Sequence, residues 1–213
     1  MLLNIIVVLM LSCNEPAKDQ NQKVKQVSKD QNGNLQKADP SANTGIPQTV
    51  SDIQKEYANT LQQLERGSLD STAYKYSCQG EKGGSVIHYL EKGKLKLIVH
   101  RYHEYDHYTA VDRYFVKDST LFFIFQSTTT WAFEDGGGTK DHVTENRIYL
   151  AKNQPFSCLE KSYDIRSKET TPPKPAAIPN KEADCSGKSK VVKAYQDLLA
   201  NKTGRAPGCK IDQ

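Results

Sequence analysis

Between Val86 and Leu159 the chain repeats one pattern three times. His88-Tyr-Leu-Glu-Lys-Gly-Lys-Leu-Lys-Leu-Ile-Val99 aligns with Tyr114-Phe-Val-Lys-Asp-Ser-Thr-Leu-Phe-Phe-Ile-Phe125. Both align, more loosely, with Ile148-Tyr-Leu-Ala-Lys-Asn-Gln-Pro-Phe-Ser-Cys-Leu159. Each copy has an apolar or aromatic arm, a polar turn and a second apolar arm, which is the signature of a β-hairpin. Hairpins in series predict an antiparallel meander. The fold class expected is α+β: an N-terminal helix packed on an antiparallel β-meander of about 6–8 strands, followed by a small disulfide-stapled C-terminal helix.

Not all of the 213 residues can join such a core. Only 37% are hydrophobic, and the deficit lies in the first fifty residues and in a Pro-rich strip near the C-terminus. Five segments follow from this composition: a leader over 1–13, a polar tether over 14–49, the helix-plus-meander domain over 50–167, a Pro-rich linker over 168–184 and a helical tail over 185–213. The formal charge of +4 is small and acids are interspersed with lysines. No basic stripe alternates with aromatics, so nucleic acid is not an expected partner.

Ile53, Tyr57, Leu61 and Leu64 share one face of a 3.6-residue period, predicting a helix capped by Ser51 or Asp52 and stopped at Gly67. The first strand is read at Ala73–Cys78 and a turn at Glu81–Ser85. Straight alternation puts Leu95, Leu97 and Val99 on one face and Lys94, Lys96 and Ile98 on the other. Leu121–Phe125 is apolar on both faces and reads as the central strand. Glu134–His142 reads as a long Gly-rich loop without the spacing of a phosphate-binding or calcium-binding loop. Pro155 points to an edge position.

The stretch from His100 to Tyr108 concentrates histidines and tyrosines around an expected chain reversal. A turn at Glu104-Tyr105-Asp106 would make His103 and His107 a cross-strand pair. Without motif spacing or a fourth ligand the preferred reading is an exposed hairpin tip, not a metal site. Tyr102, His103, Tyr105, His107 and Tyr108, with Trp131 as a further anchor or as core, are the candidate interaction residues.

Cys78, Cys158, Cys185 and Cys209 are expected to form two disulfides in an exported protein. Of the three connectivities, 78–158 and 185–209 are preferred, because the first two fall in the first and last strands and the second two bracket the C-terminal helix. No Cys-x-x-Cys spacing points to zinc or to redox chemistry.

Leu11-Ser12-Cys13, at the end of a short apolar run and before a polar segment, resembles the lipobox of bacterial lipoproteins. That resemblance implies cleavage by signal peptidase II, lipidation of Cys13, and anchoring in the cell envelope, at the outer membrane or the periplasmic face. The leader departs from the pattern in lacking Lys or Arg, and in carrying Met10 where the family most often has Leu. The hairpin Tyr114-Phe-x-x-Asp-x-x-Leu-x-Phe123 resembles the meanders of uncharacterised bacterial lipoproteins, which implies a fold type and no activity. Tyr74-Lys-Tyr-Ser-Cys78 with Val86-Ile-His-Tyr89 is similar to the opening of the membrane-bound inhibitors of c-type lysozyme. In that family a disulfide runs to the last strand, but its later Ser-Gly…Tyr…Trp-x-Lys-Gly segment has no counterpart here. No nucleophile elbow, His-Glu-x-x-His or other catalytic constellation is present. The expectation is therefore a binding module, neither an enzyme nor a cofactor carrier. Its partners would be the membrane, through the lipid, and an envelope protein or glycan. The alternatives are a structural component of an envelope assembly and a lysozyme inhibitor.

Overall fold

A computed structural model describes residues 45–200 and Cys209. The leader, Cys13 and the tether up to residue 44 lie outside the described residues. Eight strands form one antiparallel sheet in sequence order. They are β1 (Asp70–Cys78), β2 (Lys82–Glu91), β3 (Lys94–Glu104), β4 (Tyr108–Lys117), β5 (Thr120–Phe133), β6 (Thr139–Ala151), β7 (Gln154–Arg166) and the two-residue β8 (Lys181–Glu182). A helix precedes the sheet (α1, Val50–Glu65) and another follows it (α2, Ser189–Ala200).

The threefold repeat is a structural repeat. Its turns are Lys92-Gly93, Asp118-Ser119 and Lys152-Asn153, with φ of 50 and 78, 45 and 64, and 52 and 62°. Positive φ at both central residues is the type I′ turn, whose twist matches that of the strands it joins. The register shifts at the same repeat position each time, between Tyr89 and Leu90, Phe115 and Val116, and Tyr149 and Leu150. Lys96, Phe122 and Phe156 are the extra residues of these bulges. A bulge resets the alternation of side chains. It corrects the straight-strand reading of β3: Leu95 joins the cluster of Ile98, Ile124 and Ile148, whereas Leu97 and Val99 join Phe115 and Phe123 on the other face.

These two clusters define an Ile124 face and a Phe123 face. In the Phe123 cluster Ile53 of α1 is fully buried, and the Tyr57 ring lies 4.9 Å from Phe115 and 5.3 Å from Phe123. Glu56 meets Lys117 at 2.9 Å and Lys96 at 3.7 Å. Thr49, not Ser51 or Asp52, is the N-cap of α1: its hydroxyl accepts from Asp52 N–H at 3.2 Å and donates to the Asp52 carboxylate at 2.8 Å. At the other end Gly67 has φ 65°, and its N–H and that of Ser68 bond back to Leu64 and Gln63, a Schellman stop.

The Ile124 face holds α2, with Ala194, Tyr195 and Leu198 buried and the Tyr195 ring 5.8 Å from Tyr114. The chain reaches that face around the β7 edge. The Pro-rich stretch is tied down on the way, since Lys161 donates to Pro175 O at 2.6 Å and Arg147 to Asn180 at 2.8 Å. β8 then pairs with Leu159 and Glu160. That pairing brings Cys185 beside Cys158, and the bridges are 158–185 and 78–209. The preferred connectivity, 78–158 with 185–209, is thus corrected: strand pairing through β8, invisible in a two-residue segment, decides the partner of Cys158. With sequence separations of 27 and 131, the chain-entropy model assigns the bridges about 3.5 and about 5 kcal/mol.

Gly83 and Gly84 were read as a turn but lie within β2, and the reversal occurs at Gln79–Glu81. A Cβ on Gly84 would sit 2.4 Å from Arg101 O and 2.7 Å from the Tyr76 hydroxyl, so glycine here admits an aromatic ring across the strand.

Candidate binding surface

The three tight turns leave from one end of the sheet, and the longer connections Gln79–Glu81, Tyr105–His107 and Glu134–Gly138 from the other. Aromatic rings gather at this second end. Trp131 N–H bonds His107 O, and its indole N–H donates to Asp106 O, which clamps the β3–β4 turn to β5. The indole lies 4.2 Å from the His107 ring and 5.2 Å, edge-on, from Phe133. Phe133 is 78% exposed and Tyr105 66%. Phe133, Trp131 and His107 thus form a contiguous row of rings at the rim of the sheet.

The structure gathers Tyr105, His107 and Trp131 of the six candidates at this tip. His103 is exposed on β3 opposite Thr109, with its ring against Gly83. It does not pair with His107, because the turn falls at Tyr105–His107, one residue later than expected. Among the described residues no group of three or more His, Cys, Asp or Glu is placed to hold a metal ion. Tyr102 and Tyr108 are not tip residues. Alternation turns both to the Ile124 face, where Tyr102 is buried and Tyr108 half-buried. Phe133 was missed by the sequence reading, although it stands two residues beyond Trp131 on the same side of the strand.

Tyr102 belongs to a buried polar network that the sequence reading also missed. The Tyr76 hydroxyl and His100 Nε2 share a 2.7 Å hydrogen bond, and the His100 ring stacks on Tyr102 at 4.6 Å. Asp112 accepts from the hydroxyls of Tyr114 (3.2 Å) and Tyr102 (3.4 Å) and from the Gln126 amide (3.2 Å). His100 is fully buried and Asp112 nearly so. Burial raises the Asp112 carboxyl to about 6 against the opposing pull of its three donors. Burial, helped by the Lys82 charge, lowers His100 to about 4. The neighbouring Tyr74 phenol is pushed up to about 12 by burial alone. The signal available was a His and an Asp placed directly opposite each other on β3 and β4, on a face that alternation assigns to the core.

On the Phe123 face a charged belt crosses the sheet beside Ile53 and Tyr57 of α1. The guanidinium of Arg113 lies 5.4 Å from the centre of the Phe125 ring and that of Arg147 5.0 Å, a double cation–π arrangement. Glu145 receives Arg147 (2.9 Å), Lys161 (3.3 Å) and the Tyr163 hydroxyl (3.2 Å). Burial raises the Glu145 carboxyl, but hydrogen bonds and charge from Arg147 and Lys161 outweigh it and hold the group below its ordinary range.

In comparisons with known proteins, no family model, no curated protein and no solved structure matches the chain.

Proposed function

We propose that the chain is an exported lipoprotein, anchored through a lipid on Cys13, whose folded part is a non-catalytic binding module of the bacterial cell envelope. The leader ending in Leu11-Ser12-Cys13 and the polar segment behind it support the anchor. Two disulfides are compatible with an oxidising compartment. In this reading α1 is a fixed cover packed on one half of the Phe123 face, which leaves the tip free for a partner. The observation that carries the reading is the aromatic tip: Trp131 held by two hydrogen bonds to the β3–β4 turn, between His107 and a largely exposed Phe133. Rigid aromatic anchors with little rotamer entropy to lose are the usual centres of binding energy.

The test is capture from an envelope extract by the full chain, expressed with its disulfides formed. A single stoichiometric partner is expected, with Trp131→Ala and Phe133→Ala each weakening it by about 2 kcal/mol. Capture unaffected by either change would remove the tip from the reading.

A second reading, a structural component of an envelope assembly, is favoured by one feature. β1 is an edge of nine residues that pairs on its outer side with no described strand and contains one lysine and no proline to discourage strand addition. Loss of capture on Ala73→Pro, with tip variants unaffected, would select it. The further alternative, inhibition of lysozyme, is tested by including lysozyme in the same capture.

A further inference from the structure

The sheet carries four arginines, and they fall into two pairs. Arg147 is ion-paired with Glu145, and Arg166 with Glu134. Arg101 and Arg113 have no ion-pair partner among the described residues. They are diagonal neighbours on the Phe123 face, since Arg101 stands opposite Val111, two residues before Arg113. Arg113 is held against Phe125 and half-buried, while Arg101 is exposed. Burial and the charge of Arg101 depress the Arg113 pKa and outweigh the opposing pull of Tyr57 and Glu145. The acid across the sheet, Glu145, is already engaged by Arg147, Lys161 and Tyr163.

The surroundings restrict what anion this is. Arg101 and Arg113 stand on β3 and β4, whose backbones are paired on both sides, so strand addition is closed to a peptide there. What remains is a flat face with side-chain hydroxyls. Ser85 and Ser127 share the row of Arg101, and Thr109 and Thr129 the next. The same face runs along β5, without a register shift, from Phe125 to Trp131 and Phe133, about 20 Å away. Guanidinium forks for carboxylates, hydroxyls between them and a flat indole beyond are the complement of a sugar-acid polymer.

We propose that Arg101 and Arg113 form a carboxylate-binding fork for an acidic glycan laid across the open half of this face toward Trp131. The assignment rests on the reading of the tip as a contact surface and adds the chemistry of what it contacts.

The test titrates the full, disulfide-formed chain with a linear oligogalacturonate, with the same oligomer methyl-esterified, and with poly-glutamate, by calorimetry. Saturable binding of the free uronate is expected, weakening with salt. Arg101→Gln with Arg113→Gln should lower it by about tenfold or more, Arg113→Lys by less, and Lys190→Gln on α2, which packs on the opposite face, not at all. Trp131→Ala should weaken the free and the esterified oligomer alike. Near-UV circular dichroism of each variant confirms that it is folded. Three outcomes overturn the assignment: no saturable uronate binding, equal binding by the double glutamine variant, or poly-glutamate bound as tightly as the uronate. If envelope capture is lost in Trp131→Ala while the arginine variants change nothing, the glycan assignment falls and the tip reading stands. If neither set of variants changes anything, both fall.

Discussion

The two ends of the meander are built by different rules. At the tight-turn end every hairpin repeats the same type I′ turn and bulge, and both faces just inside it are built around buried apolar residues such as Leu97, Val116, Leu121 and Leu150. Ile53 and the Tyr57 ring of α1 meet one face there and α2 meets the other. At the long-turn end the same strands carry Tyr, His, Asp, Thr and Arg, the connections differ from one another, and the largest exposed rings of the sheet stand at the rim. The repeat therefore specifies the half that packs against the helices, and the half that varies is the one that carries the exposed rings.

The sharpest test of that division compares truncations at the two ends. Phe115 and Ile124 are fully buried in the two clusters, so Phe115→Ala or Ile124→Ala should cost about 3–5 kcal/mol. Phe133→Ala should stay within about 0.5 kcal/mol, because an exposed ring leaves no cavity. Urea unfolding at constant slope measures both. A tip variant as destabilising as a core variant would mean that the tip is part of the core and would withdraw it as a surface.

The second test acts on the buried polar network, where the two titrations oppose each other. Asp112 has its folded pKa raised to about 6, above its unfolded value. Its ionisation therefore penalises the fold, and stability rises as pH falls through that range, by about 3 kcal/mol in full. His100 has its folded pKa lowered to about 4, so the unfolded chain takes the proton first. Stability falls by a similar amount as pH drops from about 6.5 to 4. In the native chain these slopes largely cancel. His100→Gln should expose the first, with stability increasing toward pH 4. Asp112→Asn should expose the second, with stability decreasing. Urea midpoints between pH 4 and 7 read both. Parallel profiles in the two variants would show that the groups do not titrate as their burial requires.

How much of this was legible depends on the range of the signal. Hairpins, their order, the Gly67 stop and the Leu121–Phe125 centre are written in local periodicity and turn residues, and the sheet follows them. The bulges were not legible, because one extra residue such as Lys96 leaves the composition of a strand unchanged while exchanging the faces on either side of it. Disulfide partners were not legible because β8 has two residues and no pattern. The His107 and Trp131 rings lie together, and Tyr105 stands in the same β3–β4 turn as His107. Tyr102 and Tyr108 were misplaced because a cluster of tyrosines was read as one patch, when alternate residues of a strand face opposite ways. Arg101 and Arg113 come together only through register, which a single sequence does not print.

The smallest effect distinguishes the repeats from one another. All three tight turns require positive φ at both central residues, but only Lys92-Gly93 supplies a glycine at the second. In the second copy Ser119 holds φ 64°, a left-handed conformation that costs a side-chain-bearing residue about 1–2 kcal/mol relative to glycine. Part of that is returned through the greater freedom glycine gives the unfolded chain. Ser119→Gly should therefore stabilise the protein by about 0.5–1 kcal/mol, and Gly93→Ser should destabilise it by a comparable amount. Thermal midpoints of the two variants give the difference directly. If both changes act with the same sign, the turns are not equivalent, and the tight-turn end is held by its bulges and helices more than by its turn geometry.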